Sequence, residues 1–132
     1  MTETEKITIN LGPVDLGRID VLVDQGLYSN RTDLIRTAIR NTLDRHEPVI
    51  ERVRHRWSFT VGAQHLSRAE LEKLRGEGKK LVLRVMGSLS IASDVDPQLA
   101  RETIDAISVF GSFRAPAAVR EALGERVSRA IR

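Results

Sequence analysis

The chain has 132 residues, 41% apolar and 4% aromatic, with no cysteine and a formal charge of +3 from 21 basic and 18 acidic residues. That length suits one ordinary domain or two small ones, and the missing cysteines exclude disulfides, thiolate metal sites and cysteine nucleophiles. No apolar run approaches the roughly 18 residues of a membrane span, and the N-terminus lacks the basic-then-apolar order of a signal peptide, so a cytoplasmic protein is expected.

Charge is distributed unevenly. Residues 1–58 carry nine Lys/Arg and nine Asp/Glu, but between Arg31 and Arg56 seven basic residues stand against four acidic ones. A modest basic surface is expected there, short of the field that would by itself announce nucleic acid.

The first predicted element is "KITINL", residues 6–11. Its alternation puts Ile7, Ile9 and Leu11 on one face of a strand and Lys6, Thr8 and Asn10 on the other. Gly12 and Pro13 supply the cap and first-turn proline of a helix, on which Leu16, Ile19, Leu22 and Val23 recur at helical spacing until Gly26 stops it. After the turn "GLYSN", Ser29 or Asn30 can cap a second helix, with Asp33 completing an approximate capping box. Leu34, Ile35, Ala38, Ile39, Thr42 and Leu43 form its apolar stripe, and it runs to about Arg45. Pro48 interrupts or restarts the pattern, and Ile50, Val53 and Trp57 continue it as a helical connector over residues 47–57.

Beyond the connector the sequence repeats. Val85, Gly87, Ser88, Val95 and Leu99 return 24 positions later as Val109, Gly111, Ser112, Val119 and Leu123. Each copy reads as a strand, a Gly-Ser turn and a short helix: "LVLRVMGSLSIA" leads to "DPQLARETIDAI", and "SVFGSF" to "PAAVREALGERVSRAI". Pro97 and Pro116 suit first helical turns. A fainter third copy precedes them, with Val61 ten residues before Leu71 and a capping box at Ser67 and Glu70. Leu89 and Phe113 are expected in the core. One such unit cannot bury its own apolar face, so residues 58–132 are predicted to stack.

A six-residue strand with only two helices of its own chain is poorly covered, and a second copy repairs this. Two strands then form an antiparallel ribbon over four interlocked helices, with Ile7, Ile9, Leu11, Leu34, Ile35, Ala38 and Ile39 as the dimer core. The outward polar array fits the major groove of B-form DNA.

Residues 5–45 resemble a ribbon-helix-helix domain of the CopG/Arc/MetJ type, through "EKITINL", the helix opening "GPVDL", the turn "GLYSN" and the second helix "SNRTDLIRTAIRNTL". The resemblance implies an obligate homodimer that represses or otherwise regulates transcription. It assigns base reading to Lys6, Thr8 and Asn10, whose side chains suit guanine, thymine and adenine edges. It assigns phosphate binding to Ser29, Asn30, Arg31 and Thr32 at the start of the second helix, where free amides and the helix dipole favour an anion, with Arg36 adding charge.

The expected fold is therefore α+β: an intertwined ribbon-helix-helix head over 1–46, the connector over 47–57, and a strand-helix repeat domain over 58–132. The expected function is a sequence-specific DNA-binding transcriptional regulator, a repressor. The alternative is a dimeric adaptor or antitoxin-like protein whose C-terminal domain binds a partner protein. Expected partners are double-stranded DNA and a second copy, with a higher oligomer on DNA and a protein partner or small-molecule effector of residues 58–132 as further options. No cofactor, metal or enzymatic activity is predicted. His46, His55 and His65 fall on different elements, "RGEGKK" lacks phosphate-loop spacing, and no serine lies in Gly-x-Ser-x-Gly.

Overall fold

The computed structural model describes residues 4–129 and divides the chain into two compact units, Met1–Glu51 and Arg52–Arg132. In the first unit, α1 spans Pro13–Asp24 and α2 spans Arg31–Arg45. Gly12 is the extended N-cap of α1 with Pro13 in its first turn, and Gly26, at φ +82°, ends it in the left-handed conformation that a side chain disfavours. Asn30 caps α2 by accepting from the Asp33 amide. α3, Glu47–Trp57, begins after the single residue His46 and crosses the division between the units.

Residues 4–12 carry no regular secondary structure, so the strand expected at 6–11 is not formed within the single chain. The physical reason is plain: a strand is defined by hydrogen bonds to a neighbour, and this one has no neighbour among the elements of its own unit.

The second unit alternates strand and helix. β1 (Thr60–Leu66), α4 (Arg68–Gly76), β2 (Leu81–Ile91), α5 (Pro97–Thr103), β3 (Ile104–Arg114) and α6 (Ala117–Leu123) are followed by a 3-10 turn, Gly124–Arg126, and a two-residue β4, Val127–Ser128. The four strands form one parallel sheet in chain order, β1-β2-β3-β4, and α5 packs between α4 and α6. The 24-residue spacing is the register of that sheet: Val85 pairs with Val109, Gly87 with Gly111 and Ser88 with Ser112.

Two boundaries differ from the sequence expectation. Ile104–Ile107, expected to finish a helix, open β3 instead, where Ile104 and Ile107 are buried and pair with Leu81 and Leu83; β-branched side chains fit that pleated surface better than a helix. The last helix stops at Leu123, because Gly124 at φ +48° turns the chain into the 3-10 turn and β4. The end of that expected helix, beyond Arg129, lies outside the described residues.

The third copy exists, but its register is shifted by one. Ser67 does cap α4 on the Glu70 amide, and Leu71 is fully buried. Val61, however, pairs with Met86 rather than Val85 and is 62% exposed. The equivalence is carried by Gly62, which pairs with Gly87.

The core between sheet and helices includes Leu71, Val85, Leu89, Leu99, Ile104, Ile107, Val109, Val119 and Leu123. Each such side chain contributes about 1.5–3 kcal/mol by leaving water. Phe113 is half-buried against this core, with the Arg120 guanidinium 5.1 Å from its ring centroid. Phe59 stacks on Phe110 at 5.4 Å, and Arg84 lies 5.9 Å from the Trp57 ring.

Candidate nucleic-acid interface

The start of α2 is built by reciprocal capping. The Asn30 carboxamide oxygen accepts from the Asp33 amide at 2.8 Å, and the Asp33 carboxylate accepts from the Ser29 amide at 2.9 Å. These bonds fix the turn and use the amides of Ser29 and Asp33. The amides of Arg31 and Thr32 belong to the first turn, where a helix offers no internal acceptor.

Arg31 has a second tie that spacing along the chain does not reveal. Its Nε donates to one carboxylate oxygen of Asp20 at 2.8 Å and its terminal nitrogen to the other at 2.9 Å, fastening α2 to α1. The Arg31 guanidinium holds the Asp20 carboxyl below its ordinary 3.8, first by hydrogen bonding and then by charge, and Asp20 raises Arg31 in turn. The sequence pattern points Arg31 at the phosphates; the structure places it in a bidentate ion pair. The pair lies eleven residues apart and on different helices, a distance at which helical periodicity carries no signal. Thr32 and Arg36 are exposed on α2.

Lys6, Thr8 and Asn10 are exposed, but so are the residues expected on the opposite face: Ile7 is 72%, Ile9 55% and Leu11 40% exposed. No residue of α1 or α2 is buried; Leu34 and Ile35 are half-buried, whereas Ala38 and Ile39 are exposed. Ile9, Leu11, Leu16, Ile19 and Ile35 line a shallow apolar hollow together with Arg31. The seven residues expected in a dimer core therefore share low burial within one chain.

Elsewhere, His65 Nδ1 lies 2.7 Å from the Ser90 hydroxyl. Among the described residues no group of three or more His, Cys, Asp or Glu is placed to hold a metal, and no helix is long and apolar enough to cross a membrane.

The profile of the ribbon-helix-helix transcriptional regulator family matches residues 2–120. The chain belongs to this family. It is thus a DNA-binding transcriptional regulator at the level of family, a class that is typically not enzymatic and typically dimerises. The match reaches well past the N-terminal third that carries the resemblance in sequence and takes in three strands of the second unit. Neither curated proteins nor solved structures gave a significant match.

Proposed function

We propose that the protein is a sequence-specific repressor in the cytoplasm that reads the DNA major groove as a homodimer. Two copies of residues 6–11 form an antiparallel ribbon, with Lys6, Thr8 and Asn10 on the base edges. The amides of Arg31 and Thr32, framed by Ser29 and Asn30, take a phosphate, and Arg36 adds charge. The observation that carries this reading is the exposure of Ile7, Ile9, Leu11 and Ile39 in a unit whose two helices bury no residue. A unit of that size without a core is completed by a second chain, and the alternation of the segment leaves the polar side chains outward when the apolar ones are covered.

Fluorescence anisotropy tests the proposal, using the full chain and a labelled fragment from upstream of its own gene against a scrambled fragment at two salt concentrations. Tighter binding to the native fragment that persists at the higher salt is expected of base reading. Equal binding to both fragments, lost together as salt rises, reports phosphate contact alone and would overturn sequence-specific reading of that site.

A further inference from the structure

The sheet of the second unit has two unlike faces. On one, Leu89 and Phe113 share a single core cluster with Leu71 of α4, Leu99 of α5 and Val119 of α6, so the three helices pack on that side. Strand alternation turns the neighbours of Leu89 and Phe113 to the other face, where Ser88 lies beside Ser112 and Ser90 beside Arg114. His65 of β1 joins them, with its Nδ1 2.7 Å from the Ser90 hydroxyl, so His65, Ser90 and Arg114 form one row across three strands. His65 and Arg114 are exposed, and the three serines are half-buried.

The charge here has one sign. The Trp57 ring lies 5.7 Å from the Arg56 guanidinium and 5.9 Å from that of Arg84, so one indole gathers a cation from α3 and another from β2. Between Arg52 and Ala69 stand Arg52, Arg54, Arg56 and Arg68 without a single Asp or Glu, and of these Arg68 is paired with Glu72. β1 and β2 contain no acidic residue, and Asp105 of β3 stands at the opposite end of that strand from Arg114.

The 24-residue repeat adds an independent observation. Of its identical pairs, Val85 with Val109, Val95 with Val119 and Leu99 with Leu123 are buried, and Gly87 with Gly111 is required by the close approach of a neighbouring carbonyl. Ser88 with Ser112 is the pair that faces away from the core, and neither packing nor the close approach calls for a hydroxyl there.

We propose that this face of the second unit is a second DNA-contacting surface, on which Arg56, Arg84 and Arg114 and the hydroxyls of Ser88, Ser90 and Ser112 bind backbone phosphates without reading bases. Arginine and hydroxyl side chains are the ordinary donors to phosphate oxygens, and adjacent strands space them about 4.8 Å apart. An open, spread array suits phosphates fixed along a polymer, whereas a small ligand needs a concavity that buries most of it. The inference rests on the DNA binding of the family and not on base reading by residues 6–11.

The test uses the full chain and a long duplex of scrambled sequence, over a series of salt concentrations. Trp57 is the sole tryptophan, so its emission reports on this face directly. A saturable change in emission on adding duplex, reversed by salt, is expected. Arg84→Gln and Arg114→Gln, matched to the parent by circular dichroism and sedimentation, should each flatten the log-log salt dependence by about 0.9 and weaken binding at low salt. Arg114 is exposed, so its variant keeps the test open if the half-buried Arg84 proves necessary for folding. Parent-like slope and affinity in a folded Arg114→Gln variant overturn the proposal. A Trp57 response to polyglutamate with none to duplex also overturns it, and assigns the face to an acidic protein partner. Preference for the native upstream fragment over the scrambled one reports base reading separately, so loss of that preference with the slope changes intact leaves the second surface standing.

Discussion

Gly87 cannot carry a side chain while Gly62 keeps its place, because the Gly62 carbonyl oxygen occupies the position of the absent Cβ. The obstacle is backbone, held by the β1-β2 ladder, and φ at Gly87 is +141°, so neither partner can give way cheaply. Gly87→Ala and Gly111→Ala are expected to cost about 3 kcal/mol or more each, combining strain with overpacking. Gly62→Ala meets open space and bears the φ cost alone, about 1–2 kcal/mol. Thermal unfolding followed by Trp57 fluorescence gives the order; a Gly62 variant as damaged as the Gly87 variant would count against the close approach as the cause.

The Asp20–Arg31 pair makes the second prediction. Asp20→Asn releases a guanidinium at the start of α2, beside the amides proposed to hold a phosphate. DNA binding is expected to tighten and its salt dependence to steepen by about 0.9 in log-log slope per added phosphate contact. An unchanged slope would show that Arg31 does not reach the backbone even when released. pH acts on the same pair. Because the folded pKa of Asp20 lies below 3.8, its contribution is complete above that value and fades as the pH falls through the lower folded one. The α1–α2 tie is therefore insensitive to pH near neutrality and lost only in acid, which a titration of the Arg31 side-chain resonances can follow.

Much of this was legible in local chemistry. Asn30 with Asp33 and Ser67 with Glu70 mark helix starts through side-chain bonds that span three residues, Gly12 with Pro13 marks one through backbone conformation alone, and the structure contains all three starts. The 24-residue echo was visible because identical side chains occupy identical places in adjacent strands. What escaped was set by tertiary geometry. Val61 suggests a third copy through its ten-residue interval to Leu71, whereas the feature shared by β1, β2 and β3 is a backbone approach between paired glycines, so Gly62 is the better marker. Asp20 gave no sign of its partner, since a contact between two helices follows their crossing and not the sequence interval. The "IDAI" segment read as helix because Ile104 and Ile107 are three apart, a spacing that a helix face and a buried strand both tolerate.

If Ile9 is covered by a second chain, Ile9→Glu places a charge in the dimer core. The expected result is a monomer by sedimentation at micromolar concentration and loss of specific DNA binding, from the loss of about 2 kcal/mol or more of burial per chain and the cost of an unpaired buried carboxylate. The melting of the second unit, whose core cluster is built from its own residues, should be unaltered. A variant that stays dimeric and binds DNA would place Ile9 outside the interface.

Lys6→Ala and Asn10→Ala test the other face of the same segment. Alternation puts these side chains opposite Ile7, Ile9 and Leu11, so truncating them removes hydrogen-bonding groups without touching the apolar face. Each is expected to relax discrimination at its own base position by about 1–3 kcal/mol, while helicity and dimerisation remain those of the parent. Arg36→Ala is the contrasting control: removing a guanidinium from a phosphate should weaken binding to all sequences alike and flatten the salt dependence. Comparing the three variants on a panel of single-base substitutions separates the two classes. A uniform loss for Lys6→Ala and Asn10→Ala would assign them to the phosphates, and a fall in helicity would place them in the fold and not on the outward face.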